Sequence, residues 1–458
     1  MHYQSLADIS EAIRRKQVSP VELTRHMLDR IEKTDSKYCS YVAVTAARAQ
    51  QQAAAAEAEI MRGWWRGPLH GVPIALKDII YTSFAPTTGG GVVHKNFVPG
   101  FNATVVDRLD ASGAITLGKL KTTEHAFAEH HPTVTPPRNP WNVEYWSGAS
   151  SSGSGVAPAA GLAFGTLGSD TGGSIRFPSA ANGVTGLKPT YGRVSRYGVF
   201  PLSASLDHIG PITRTALDAA IMLGAIAGWD PNDATALHDA VPDYASLCSS
   251  GIIGLKIGIP VEHVQAGVAD PVIATIKQTQ NVLGSMGAIV KEIELPSIDE
   301  VLAGWTAICS VDTALAHEAT YPSQASQYGP VLAGFIETGR NTTARELALS
   351  QQARTEFTNR LAAVFQEVDL LLIPAMPTTV LTRAQWKAMP ASELAPFLRF
   401  TAPYDMTGNP TITLCGGFDS KGLPLAFQFV ARHLSEGLLC QAGAAFQRAT
   451  DWHVRHPD

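Results

Sequence analysis

The chain has 458 residues, 45% hydrophobic and 16% charged, a balance that excludes an extended disordered polymer and leaves room for a large buried core. A formal charge of −5, from 35 basic and 40 acidic residues, excludes the basic footprint that nucleic acid or an anionic membrane surface would need, so small molecules are the expected partners. Cys39, Cys248, Cys309, Cys415 and Cys440 are scattered without a C-x-x-C pair, which argues against a disulfide framework or zinc site and fits a reducing cytoplasm.

The opening stretch, "MHYQSLADISEAIRRKQ", patterns as an amphipathic helix without an apolar signal-peptide core, and no run reaches about 18 uninterrupted apolar residues. Neither an obvious export signal nor a membrane span is expected. Residues 1–65 as a whole read as helical: Ser19, Pro20 and Glu22 form a cap for "VELTRHMLDRIEK", and an Ala/Gln-rich run over 44–61 continues the pattern. At "GPLHGVPIALKDII" the pattern changes to a turn and a buried strand over 72–80, interrupted only by Lys77 and Asp78.

Segments then alternate. Helix is predicted over 103–113 and 213–228, with strands at 114–119, 183–189, 254–260, 287–296, 368–374, 410–418 and 424–430. Such alternation favours an α/β fold with a mixed or largely parallel sheet. No linker, charge block or fixed-period repeat divides the halves, so one domain over 1–458 is expected.

Two patches rich in serine and glycine, "WSGASSSGSG" at 146–155 and "GSDTGGSIRFP" at 168–178, resist the common explanations. They lack the G-x-x-x-x-G-K-[ST] of a phosphate loop, and neither G-x-S-x-G nor S-x-x-K occurs in the chain. The apolar run "VAPAAGLAFGTLG" between them is unlike a flexible linker. Gly172 and Gly173 can instead turn consecutive N–H groups onto one oxygen beside Ser174, the layout of an oxyanion hole for acyl transfer. A serine attacking there needs a base within hydrogen-bond reach. Ser152 and Ser154 read as turn formers. His125, His130 and His131 in "EHAFAEHH" are grouped, but without the wider ligand spacing of a metal centre, and no metal is assigned.

The stretch from "GASSSGSG" through "GSDTGGSIRFPSAANGVTGLKPTYGRVSRYG" resembles the signature of the amidase signature family, and "GVPIALKD" resembles that family's lysine strand. The likeness extends through "SLDHIGPITRTALDAA" and returns in "FTAPYDMTGNPTITL" and "GLPLAFQFVARH", leaving only 230–395 weakly marked. It implies the family's fold, a central mixed, largely parallel twisted sheet with helices on both faces. Within it, 1–65 would be an N-terminal helical segment, 66–220 the signature core, 221–395 a variable substrate-shaping region and 396–458 a C-terminal core segment.

The resemblance further implies an amidohydrolase that cleaves a C–N bond of a small carboxamide, anilide or carbamate (a urethanase in the last case) through an acyl-enzyme. Ser174 would be nucleophile, Ser150 a proton relay after a cis peptide, and Lys77 the base. Thr171, Gly172, Gly173 and Ser174 would provide oxyanion N–H groups, and Ser151, Asp170 and Arg176 would support the loop or, for the arginine, meet substrate. No cofactor is implied, and a homodimer is compatible with the family. Physical chemistry agrees on the lysine: burial behind "VPIAL" disfavours its charge and lets it act as a base near neutrality.

Ala149 and Asn182 depart from the family's usual glycine and cysteine. The rival reading of Lys77 is a structural cation paired with Asp78. Trp305, Tyr328 and Phe335 could line an acyl pocket or sit in the core. The same family also contains the glutaminase subunit of tRNA-dependent amidotransferases, and a catalytically dead binding protein on this fold is a third alternative.

Overall fold

The computed structural model describes residues 1–457, with side chains at all of these except 391 and 392. Near the N-terminus, Ser19 accepts a hydrogen bond from the Glu22 N–H and Pro20 opens the helix Pro20–Tyr38, as its capping sequence predicts. Helices Leu6–Arg14 and Ala46–Met61 accompany it. The same region also contains a strand, Tyr41–Val44, where a wholly helical segment is predicted. Four residues between two long helical patterns are too few for a period-2 signal to stand out.

The strands are β1 (Tyr41–Val44), β2 (Pro73–Lys77), β3 (Ile115–Leu120), β4 (Gly165–Asp170), β5 (Thr185–Lys188), β6 (His208–Thr213), β7 (Lys256–Ile259), β8 (Ile289–Glu292), β9 (Leu370–Pro374), β10 (Thr411–Phe418) and β11 (Pro424–Ala431). They form one sheet in the order β1-β3-β2-β4-β6-β5-β10-β11-β9-β7-β8. The expected mixed α/β sheet is present, but it is not largely parallel. Parallel pairing is confined to β3-β2-β4 and to β9-β7-β8, and every other neighbour in the order is antiparallel. Strands buried on both faces have apolar runs whichever way they point, so direction is not written in local pattern.

β6 also escapes sequence reading, because Gly210 and Pro211 interrupt its centre and ordinarily break strands. Gly210 is required there: a Cβ would lie 2.1 Å from the Leu187 carbonyl oxygen. The apolar run after the first serine patch divides into the helix Ser152–Ala159 and β4. Ser152 and Ser154 are therefore helical rather than in a turn, and the Ser154 hydroxyl donates to the Leu167 carbonyl at 3.0 Å, tying the helix to β4. Among the described residues no helix is long and apolar enough to cross a membrane.

Candidate active site

β2 and β4 are parallel neighbours, with Leu76 opposite Leu167, so Lys77 and Asp170 finish adjacent strands at the same carboxyl edge of the sheet. Crevices in open α/β sheets form at that edge. The two serine patches converge there. The first runs into the helix Ser152–Ala159 and the second into the helix Arg176–Asn182. The Ser151 N–H donates to the Ser174 carbonyl at 3.2 Å, which joins the patches directly. The Ala149–Ser150 peptide is cis. Thr122 Oγ1 and the Thr123 N–H both donate to the Ser150 carbonyl, at 3.0 and 3.1 Å, and fix that backbone.

Lys77 is fully buried. Its Nζ lies 2.7 Å from Ser150 Oγ, 2.9 Å from Ser151 Oγ and 2.8 Å from Ser169 Oγ. Burial brings its pKa down from 10.5 to about 7, against the attraction of Asp207 and Asp170. Asp78 is not its partner. That carboxylate faces Lys119, 3.2 Å away, and both side chains are essentially inaccessible. Lys119 also donates to the Ile80 carbonyl and Thr87 Oγ1, at 2.7 and 2.8 Å. Consecutive residues on a strand point to opposite faces, which separates Lys77 from its neighbour. Lys119→Met strands the Asp78 carboxylate in the core and is expected to cost about 3–5 kcal/mol in urea unfolding; a loss under about 1 kcal/mol would show that Asp78 needs no cation.

Arg176 is likewise completely buried, contrary to any contact with substrate. Its Nε and Nη2 reach Asp170 at 3.0 and 2.7 Å, and Nη2 also reaches Asp405 at 2.5 Å. A desolvated guanidinium needs such partners. Burial alone would raise the Asp170 pKa, but Arg176 and surrounding N–H donors hold it well below the usual carboxylate range. Asp405 has fewer donors, and burial pushes it up.

Asp170 also takes the Gly173 N–H, at 2.6 Å, and the Ile175 N–H, at 2.9 Å. This corrects the expectation for Gly173: its single N–H is already committed to Asp170 and is not a free oxyanion donor. The N–H groups of Thr171, Gly172 and Ser174 have no acceptor among the described residues. The loop is held from behind. Trp305 Nε1 donates to the Thr171 carbonyl at 2.8 Å, Thr401 Oγ1 to the Gly172 carbonyl at 2.7 Å, and Thr171 Oγ1 to Asp207 at 2.6 Å.

Ser150 and Ser174 line one cavity of ≈ 50 Å³ with Thr171 and Gly172, walled by Phe127, Phe177, Leu202, Trp305 and Leu398. Ser174 is the partly exposed member of the group, whereas Ser150 is 1% exposed. Ala128 and Trp386 border both this slot and a chamber of ≈ 1000 Å³ that carries Glu124, Glu129, His130, Arg383 and Lys387. Of the three aromatics proposed for an acyl pocket, only Trp305 lines the slot. Phe335 stacks behind Phe127 with ring centroids 4.0 Å apart, and Tyr328 bonds to His317 and Thr320.

His125 packs against His94 and His317, while His130 meets Ser152 and His131 meets Thr133. Among the described residues no group of three His, Cys, Asp or Glu side chains is arranged to hold a metal. Asn182 acts in packing: its Nδ2 donates to the Ser147 and Pro178 carbonyls at 2.8 and 2.7 Å.

No sequence pattern assigns a role to Ser169, Thr401 or Asp405, or to the slot walls Phe127, Phe177, Leu202 and Leu398. The only signal is the position of Thr401 and Asp405 inside "FTAPYDMTGNP".

A family model described as Amidase matches residues 22–440. The curated protein "Putative amidase AmiD" of Mycobacterium tuberculosis is 43% identical over 458 residues, covering 99% of this chain and 95% of its own length. A Glutamyl-tRNA(Gln) amidotransferase subunit of Geobacter sp. strain M21 is 36% identical over 478 residues, with 98% of each chain covered. Among solved structures, a bacterial aryl acylamidase of the amidase signature family superposes with TM-score 0.90 at 26% identity, covering 98% of this chain and 97% of that one.

Proposed function

The chain belongs to the amidase signature family and is a hydrolase of C–N bonds other than peptide bonds, and from that premise we propose that it cleaves a small carboxamide, anilide or carbamate through an acyl-enzyme on Ser174. The observation that carries this reading is the 2.7 Å contact of a fully buried lysine with Ser150, beside Ser174 in one cavity.

Hydrogen counting supports the direction of proton flow. Ser151 Oγ donates to the Ser169 carbonyl at 3.1 Å, so towards Lys77 it can only accept. A neutral amine has two N–H groups and one lone pair. With one N–H on Ser151 and the other on Ser169, the lone pair is left for the Ser150 hydroxyl. Ser150 then gives its proton to Lys77 while taking one from Ser174, whose hydroxyl has no hydrogen-bond partner among the described residues and would turn to Ser150 as substrate binds. The attacking oxygen adds to the carbonyl carbon, and the developing oxyanion is met by the N–H groups of Thr171, Gly172 and Ser174. Collapse of the adduct breaks the C–N bond as the proton returns through Ser150 to the departing nitrogen, and water repeats the sequence on the ester.

The order of release assigns the two compartments. The amine departs while the acyl group is still bonded to Ser174, and the chamber of ≈ 1000 Å³ has the room to pass it outward. The large chamber reaches the surface at Val331, which is 44% exposed. The acyl group then occupies the apolar slot, whose size favours short or flat acyl chains.

Parallel assays of aryl amides, aliphatic amides, carbamates and glutamine, with mass spectrometry of the trapped adduct, test the reading. Turnover of an amide with the acyl mass on Ser174 is expected. An adduct on another residue, or turnover with no adduct in rapid quench, would sink it. The whole-length similarity to amidotransferase subunits favours a second reading, a glutaminase. Ammonia release from glutamine that depends on a partner subunit, with no simple amide cleaved, would select it.

A further inference from the structure

Trp305 comes from the helix Asp299–Ala316, inside the region that the sequence marks least. It is 5% exposed and touches the site in two ways. Its ring forms part of the slot wall, and its indole N–H donates to the Thr171 carbonyl at 2.8 Å. The ring also lies flush with Gly172, where a Cβ would come within 2.7 Å of it. In a trans peptide the carbonyl of one residue and the N–H of the next point in opposite directions. Holding the Thr171 oxygen therefore turns the Gly172 N–H away from the indole, and that N–H has no acceptor among the described residues.

We propose that Trp305 is a positioning and specificity-determining residue: its indole N–H sets the direction of the Gly172 oxyanion donor, while its ring bounds the acyl slot. This rests on the reading of Ser174 as nucleophile. Because one side chain serves both purposes, an acyl group that displaces the ring also tilts the Gly172 peptide, so a poorly fitting acyl group loses kcat rather than only affinity. Thr401 holds the next carbonyl, that of Gly172, but the N–H beyond it belongs to Gly173 and points to Asp170. His208 Nδ1 lies 3.3 Å from the Asp170 carbonyl, whose peptide carries the free Thr171 N–H, but of these two side chains only Trp305 also walls the slot.

The test compares wild type, Trp305→Phe and a Trp305 replacement by benzothienylalanine, an isostere with sulfur in place of the N–H. The probes are 4-nitroacetanilide, a fluorophosphonate, phenylboronic acid as tetrahedral mimic and acetate as product. Loss of a fixed oxyanion donor costs about 10²–10³ in kcat, so a donor left free to swing is expected to cost roughly tenfold to a hundredfold. KM and acetate inhibition should stay within threefold, and both boronate affinity and fluorophosphonate labelling of Ser174 should fall by the same factor as kcat. If wild type does not cleave the anilide, the labelling and boronate comparison decides.

Isostere values within threefold of wild type on kcat, labelling and boronate binding would overturn the proposal and leave Ser174 as nucleophile untouched. A fall shared equally by acetate and boronate would also overturn it, since that is lost packing. Should Trp305→Phe lose its cooperative thermal transition, the isostere alone decides. Labelling or turnover that survives Ser174→Ala would overturn this proposal and the underlying reading together.

Discussion

Ser174→Ala is expected to lower kcat/KM for any amide substrate by about 10⁴-fold or more while leaving the fold unchanged. The size follows from what is removed. Without the attacking oxygen, only orientation and the oxyanion donors remain to accelerate attack by water, and in serine hydrolases that residue of catalysis falls orders of magnitude short of the full machinery. Stability should hardly change. The Ser174 hydroxyl has no hydrogen-bond partner among the described residues, and the structural bond here is made by its backbone carbonyl, which accepts from the Ser151 N–H. Unfolding free energies within about 1 kcal/mol of wild type are therefore expected, the range of changes away from networks. Activity kept within tenfold of wild type, in a variant confirmed by mass, would take the nucleophile away from Ser174.

The chemistry was more legible in the sequence than the support beneath it. Lys77, Ser150 and Ser174 lie in segments whose composition is hard to explain otherwise: a cation ending an apolar strand, and glycines in places where packing would favour larger residues. The structure brings the first two into contact and places Ser150 and Ser174 on one cavity. Thr401 and Asp405 were illegible for the opposite reason, and Trp305 was legible as a candidate pocket wall but not as a partner of the Thr171 carbonyl. A buried tryptophan on a helix, or a threonine before a short helix, is an ordinary residue in an ordinary place, and only the chain path reveals which carbonyl it reaches. Gly173 shows the limit from another side. Glycine at that position reads as an oxyanion donor, yet its N–H points to Asp170, a bond set by the carboxylate's own need for donors after Arg176 has drawn it into the core. The sheet repeats the lesson. Individual strands could be recognised from their apolar runs, but the antiparallel centre from β4 to β9 depends on pairings between distant segments, and β6 hid behind the glycine and proline at its middle.

Lys77 sets the second large expectation, and here activity and stability should move in opposite directions. The base must be neutral to accept a proton, and its pKa near 7 places that transition within reach of ordinary buffers. Below about pH 7, kcat/KM should rise tenfold per pH unit, then level off as the uncharged amine becomes the dominant form. Lys77→Met, of similar length and unable to take a proton, is expected to lose about 10³-fold or more at pH 8 and to lose that ascending limb. For stability the sign is fixed by linkage. A lysine at 10.5 in the unfolded chain and about 7 in the folded one leaves the unfolded state holding the extra proton between those values, so wild-type stability climbs with pH through that window. Below pH 7 the penalty is complete, about 5 kcal/mol at 1.36 kcal/mol per pH unit. Against it stand three contacts to serine hydroxyls, worth about 1 kcal/mol each. The penalty is the larger quantity, so Lys77→Met should be the more stable protein at pH 6 by about 1–2 kcal/mol, with the gap closing and then reversing as pH approaches 10. Urea unfolding at pH 6, 8 and 10 would read it directly. A wild-type rate flat from pH 5 to 9, together with a destabilised methionine variant at pH 6, would mean that the buried amine stays charged and that another group removes the serine's proton.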